Sequence, residues 1–202
     1  MNKYFVLVPK EGKCCPESLS EGILHTQFNP LDPFAPQETD AGEWSKYMHG
    51  KTNLPSEFWF VTRERCYDFD FRWDSGGFML SEQFIHLLDK HHVDNFECAK
   101  LNFVNRKGEF VTTKKYFYTK FFNPLDIINY DKSQIIFEKQ GYIKKVIDLC
   151  FNDVNTPDLF VLKEWIFFNK LFCTEKITKE IESLKLRGIS FIPIEKYGNV
   201  SN

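Results

Sequence analysis

"CYDFDFRWDSGGFMLSEQFIHLLDKHHVDNFECAKLNFV", residues 66–104, decides the fold class. From Asp68 onward, polar and aromatic side chains alternate with the period of a strand. Asp68, Asp70, Arg72 and Asp74 share one face, and Phe69, Phe71 and Trp73 the other. Gly76-Gly77 then marks a turn. Phe84, Leu87, Leu88 and His91 follow at i, i+3, i+4 and i+7 with Ser81 placed to cap the amino end, the strongest helix signal in the chain. "FECAKLNFV" returns to strand composition. Strand, turn, strand, helix and strand in this order predict an α+β fold built on antiparallel sheets.

Toward the amino terminus, "YFVLVP" at residues 4–9 reads as a strand ended by Pro9, and "FWFVT" at 58–62 as another. Residues 10–56 are rich in Pro, Gly, Ser and Asp and read as a surface loop. One short helix is expected in it over Asp40–Met48, with Asp40 as cap and Glu43 three residues on. Trp44, Tyr47 and Met48 share one side of that helix, which marks it as docked. Toward the carboxyl terminus, "NRKGE" turns the chain into "FVTTKKYFYTKFF", a hairpin of β-branched and aromatic residues. In "IIFEKQGYIKKVIDLCF" the apolar positions fit either a helix or a strand, and Gly141 between two apolar runs favours a hairpin. "LFVL" and "IFFNKLFC" read as strands. "TEKITKEIESLKLRG" is a second helix with Ile177, Ile181 and Leu184 inward and Gly188 just past its end. "ISFIPI" closes as a strand. The main helices thus cover about 81–92 and 174–186, and residues 1–202 are read as a single domain.

Two features recur. "FNPLD" stands at 28–32 and at 122–126, and "FMLSEQFIHLLDKHHVDNFE" at 78–97 resembles "FCTEKITKEIESLKLRGISF" at 172–191, at nearly the same separation. An internal duplication of strand–helix–strand units is one reading. Chance recurrence of small-residue caps and Asn-Pro turns is the other, since the segments between do not align.

Composition excludes several classes. With 202 residues, 43% of them hydrophobic, the chain can bury a core without disulfide or metal staples. A net charge of -2 provides no field to draw in nucleic acid or an anionic membrane. The apolar run at 4–9 is too short for a signal peptide core. The densest apolar stretch, 159–172, contains Lys163, Glu164 and Lys170 and falls short of the roughly 20 residues of a membrane span. A soluble cytoplasmic protein without membrane or nucleic-acid partners is expected. The six cysteines are scattered, with no zinc-ligand spacing, and are expected to be free thiols in a reducing compartment. Twenty-two Phe against three Met point to a strand-rich aromatic core.

No catalytic motif is present: no G-x-S-x-G, no glycine-rich phosphate loop, no H-E-x-x-H. His91-His92 follow a helix end, where the dipole favours them, and His25, His49 and His86 are isolated. Lys114-Lys115 beside Tyr116 is ordinary strand alternation. The carboxylates fail as a calcium loop, because Arg72 and Trp73 stand where a ligand and a glycine are needed. A metal at Asp68 and Asp70 would compete with the charge of Arg72. These carboxylates are therefore read as a solvated or ion-paired strand face pointing at water, and no metal or other cofactor is expected.

Beyond single motifs, a succession of segments resembles immunity proteins of bacterial polymorphic toxin systems. It runs "LPSEFWF", "CYDFDF", "GGFMLSEQFIHLLDKHHVDNFE", "YFYTKFFNPLDIINYDKS" and "LFVLKEWIFFNKLFCTEKITKEIESLKLRGISFIPI". The matching elements are Ser81-Glu82 and Thr174-Glu175 at the helix starts, Leu125-Asp126 and Asp131-Lys132-Ser133 after a strand, and Gly188, Ile189 and Phe191 in the last strand. The resemblance covers roughly residues 54–195. It implies an α+β domain that binds a toxin encoded beside it and blocks it without catalysis, in competition between bacteria. It carries no catalytic residues. For such a protein a charged rim and aromatic anchors suit fast, tight association. Asp68, Asp70 and Asp74, with Trp44 from the loop helix, are the expected partner-binding residues toward a basic C-terminal toxin domain. The alternatives are a metal-dependent enzyme of unfamiliar type using Asp68 and Asp70, and a general interaction domain.

Overall fold

The computed structural model describes residues 3–34, 53–152 and 156–199. Its strands are β1 (Tyr4–Pro9), β2 (Gly22–His25), β3 (Glu57–Thr62), β4 (Phe71–Asp74), β5 (Gly77–Ser81), β6 (Phe96–Val104), β7 (Tyr116–Phe121), β8 (Gln134–Phe137), β9 (Ile143–Asp148), β10 (Leu159–Phe160), β11 (Leu171–Thr174) and β12 (Ile189–Pro193). Helices α1 (Glu82–Lys90) and α2 (Glu175–Ser183) complete an α+β, sheet-dominated fold. No helix among the described residues is long and apolar enough to cross a membrane. The chain falls into two compact units, one of Met1–Val8, Asn123–Lys185 and Ser190–Asn202, the other of Pro9–Phe122 and Leu186–Ile189.

In the first unit the sheet runs β10-β11-β1-β12, and β8-β9 form a separate antiparallel hairpin, as Gly141 suggested. Its core joins Tyr4, Val6, Phe160, Phe167 and Phe172 to Val146, Leu149 and Tyr197. Helix α2 buries Ile177 and Ile181. Leu184, expected inward, caps the helix and is 48% exposed, because the helix stops at Ser183 and Lys185 turns left-handed. "LFVL" joins the sheet at Leu159–Phe160 and makes a separate parallel bridge from Leu162 to Leu125, and "IFFNKLFC" divides into a 3-10 turn, Trp165–Phe167, and β11.

The second unit holds a sheet ordered β2-β3-β6-β7-β5-β4. It is mixed, since β3 and β6 pair in parallel and the other pairs run antiparallel. The core is a lattice of rings, including Phe58, Phe60, Tyr67, Phe69, Phe103, Tyr116 and Tyr118. Tilted and edge-to-face contacts such as Tyr67–Phe103 at 4.8 Å and Phe69–Tyr116 at 5.0 Å add to the area these rings bury. Ser81 caps α1 as its position predicts, its hydroxyl oxygen accepting from the Phe84 amide at 3.2 Å. Burying Phe84, Ile85, Leu87 and Leu88 ties the helix down. The loop expected over 10–56 contains a strand, β2, and buries Cys15, Leu19 and Leu24 in the core. The turns fall at Lys13-Cys14 and Ser20-Glu21, and Gly22 opens β2, so composition alone does not reveal the anchored backbone. The helix expected over Asp40–Met48 lies outside the described residues.

The two units repeat one topology. Read inward from β4, the second sheet runs β4-β5-β7-β6, and the first runs β10-β11-β1-β12. In each, an antiparallel strand pair leads into a nine-residue helix and then a strand two positions across the sheet from the one before the helix. The strand between them comes from β7, next in the chain, in one unit and from β1, at the opposite end, in the other. This shared topology supports the duplication reading of the sequence repeats.

Candidate functional site

The 66–74 segment is held at both ends. Cys66 is joined to Cys14 by a disulfide, and β4 and β5 close through a turn in which Ser75 and Gly76 have positive φ. The disulfide corrects the expectation of six free thiols; Cys15, Cys98, Cys150 and Cys173 remain free. Sequence spacing could not pair Cys14 with Cys66, because their approach depends on how two distant segments pack. The Asp68 amide donates to the Cys14 carbonyl at 2.7 Å, zipping the segments side by side.

Only Phe71–Asp74 is strand, and the acidic face does not point at water as the alternation predicts. Asp70 is 1% exposed and Arg72 fully buried. The period-2 split also fails before the strand begins, since Phe69 lies against Arg72, its ring 5.0 Å from the guanidinium carbon, while Phe71 packs on Phe78 and Phe84. On the side expected to be wet, Arg72 donates to the carbonyls of Lys10, Pro16 and Gly188, all from outside the hairpin. Burial draws its pKa below the ordinary arginine value.

Asp70 sits beneath a cation. Lys114 Nζ donates to Asp70 Oδ1 at 2.8 Å and pairs with Asp68 Oδ1 at 3.1 Å, while the Arg187 amide donates to Asp70 Oδ2 at 2.5 Å. The Arg187 guanidinium closes the group on Asp68 Oδ2. Two carboxylates are thus matched by two cations, the ion-paired half of the expectation. Asp74 stands apart at the turn, where burial raises its pKa and the Ser75 hydroxyl bond lowers it. Trp44 lies outside the described residues. Among the described residues no group of three or more His, Cys, Asp and Glu could hold a metal ion.

Replacing Asp70 by alanine leaves the Arg187 amide without its acceptor and the part-buried Lys114 ammonium with Asp68 alone. The expected loss of stability is about 2–3 kcal/mol, read from the denaturant midpoint. In that background Lys114→Met should cost less than in the wild type; equal costs would show the pair uncoupled.

A second feature of the same unit was missed in the sequence. The parallel strands β3 and β6 end side by side, Val61 opposite Val104. Arg63 and Arg65 follow one end, and Arg106 and Lys107 the other. Together with Phe34 and Phe110 they line a cleft of about 470 Å³. The signal was legible as two short basic runs, each just beyond a strand end, but only parallel pairing brings them together.

The first unit displays aromatics. Trp165 and Phe168 stack at 4.7 Å on the surface, and Tyr130 donates to Glu164 Oε1 at 2.8 Å while touching Phe137 at 6.2 Å.

The profile of the family described as immunity protein 43 matches residues 8–202. The chain belongs to this family. No curated protein matches it. The match begins within β1 and passes through both helices, so the immunity protein 43 region includes both repeated strand–helix–strand elements. The aromatic core, the Asp68–Lys114–Asp70–Arg187 group and the basic cleft all lie in the matched span.

Proposed function

We propose that this chain neutralises a cognate bacterial toxin of a polymorphic toxin system, by forming a stoichiometric complex in the cytoplasm and without catalysis. The observation that carries the reading is membership of the immunity protein 43 family over nearly the whole chain. Exposed aromatics such as Trp165 and Phe168 support it, since aromatic side chains dominate the energy of protein interfaces. In this reading Asp68 and Asp74, both partly accessible, contact the toxin together with Trp44, and Asp70 holds Asp68 in place through Lys114 and Arg187.

The test is a titration. A tagged copy should recover the carboxyl-terminal module of a secreted toxin from its native cells through a high-salt wash. Residual toxin activity should then fall linearly with added protein and vanish near equimolar ratio. Neutralisation by a small fraction of an equivalent would reveal a catalytic inactivator, and unchanged toxicity on co-expression would remove the reading altogether.

A further inference from the structure

One exposed cluster on the second unit has the opposite sign to the carboxylates that the sequence puts forward. Asp68 and Asp70 are neutralised by Lys114 and Arg187. At the cleft beyond β3 and β6, in contrast, Arg65, Arg106 and Lys107 are exposed and make no ion pair with a described residue. Arg63 there has only a 4.0 Å approach to Glu21, with its guanidinium 4.9 Å from the Phe34 ring centre.

The backbone of both arms is tied by hydrogen bonds. Arg106 and Lys107 form the apex of a tight turn closed by the Gly108 amide on the Asn105 carbonyl at 2.9 Å and the Asn105 amide on the Glu109 carbonyl at 2.9 Å. Asn105 Oδ1 accepts from the Lys107 amide at 2.8 Å. Gly108 has φ +80, and a Cβ there would stand 3.0 Å from the Phe28 ring, so the turn needs glycine. On the other arm, the Glu64 amide donates to Thr62 Oγ1 at 3.0 Å, and Arg65 precedes disulfide-bonded Cys66. Between the arms Phe110 is 64% exposed. Backbone already held on both arms spares the cost of ordering these loops on binding.

We propose that this cleft is a docking site for an acidic segment of the toxin, with carboxylates on Arg65, Arg106 and Lys107 and an apolar side chain on Phe110. The proposal rests on the neutralisation reading and names the chemistry of one contact within it. Charge complementarity selects the occupant. A protein segment is favoured over a nucleic acid because Glu64 and Glu109 also line the cleft and would repel a continuous phosphate backbone. Discrete carboxylates can be spaced to avoid them.

The experiment compares Arg106→Glu/Lys107→Glu with a control at equally exposed lysines in another strand, Lys144→Glu/Lys145→Glu, after both are shown to melt like the wild type. The probe is a short fluorescein-labelled peptide of alternating Asp and Glu around a central Phe, followed by anisotropy. The cleft variant should lose on the order of tenfold or more in affinity, with the control within about twofold. The same ranking is expected for the toxin module recovered in the pull-down. Equal losses in both variants, or displacement of the peptide by a single-stranded oligonucleotide, would overturn the proposal. Undiminished toxin binding by the cleft variant would also overturn it while leaving neutralisation standing. Failure to recover any toxin would strike the neutralisation reading, with the peptide still deciding the cleft.

Discussion

Arg72→Ala is expected to cost about 4 kcal/mol of folding stability, the largest effect of any single side chain considered. The guanidinium is fully buried, and the hydrogen bonds described for it all end on backbone carbonyls. Nε donates to Pro16 O, and Nη1 to Phe71 O and Gly188 O, each at 2.6 Å; Nη2 donates to Lys10 O at 3.2 Å. Burying the charge is itself costly, so the wild-type arrangement need not exceed an apolar one in stability. Truncation is different. It leaves carbonyls from three separate segments without their donor and opens a cavity under Phe69, whose ring lies 5.0 Å from the guanidinium carbon. Arg72→Met fills most of the volume and should recover part of the loss, while Arg72→Lys cannot reproduce the planar fork. Gly188→Ala should mimic the defect, because φ there is +74 and a Cβ would stand 2.9 Å from Arg72 Nη1. Denaturant unfolding with an unchanged slope measures all four. A loss below about 1 kcal/mol for Arg72→Ala would show that water replaces the guanidinium freely.

Reduction of the Cys14–Cys66 bond is expected to cost about 3–4 kcal/mol, because the bridge closes a sequence separation of 52 residues and removes that freedom from the unfolded chain. The figure stands at the lower side of the chain-entropy value, since residual structure in the reduced, unfolded chain leaves less freedom to remove. The Asp68 amide donates to Cys14 O, and Cys15 Sγ donates to Asp68 O at 3.3 Å. Adding reductant should lower the unfolding midpoint of the wild type and leave Cys14→Ser/Cys66→Ser unmoved. Equal midpoints with and without reductant would mean that the bridge adds nothing to stability. Because the proposed cytoplasmic setting keeps thiols reduced, alkylation of intact cells before lysis should report how much of the chain carries the bridge there.

Much of the fold was legible locally. Ser81 and the spacing of Phe84, Leu87 and Leu88 located α1, Gly76-Gly77 located the β4–β5 turn, and Gly141 located the β8–β9 hairpin. These are short-range effects, in which caps and turns satisfy backbone groups within a few residues. Leu184 and the strand expected over "IFFNKLFC" failed at element ends, where periodicity carries least information.

What the sequence by itself determined is the α+β class, the two main helices with the turns beside them, and membership of an immunity family. The helices and turns follow from local pattern, and the membership from the succession of segments along the chain. Tertiary structure alone decided that Asp70 and Arg72 are buried, since alternation separates two faces of a strand without saying what covers either. It alone set β1 between β11 and β12, and β3 parallel to β6, because strand pairing joins residues far apart in the chain. The basic cleft follows from that last pairing. Two arginine-containing runs separated by β4, β5, α1 and β6 share one surface only because two strand ends meet.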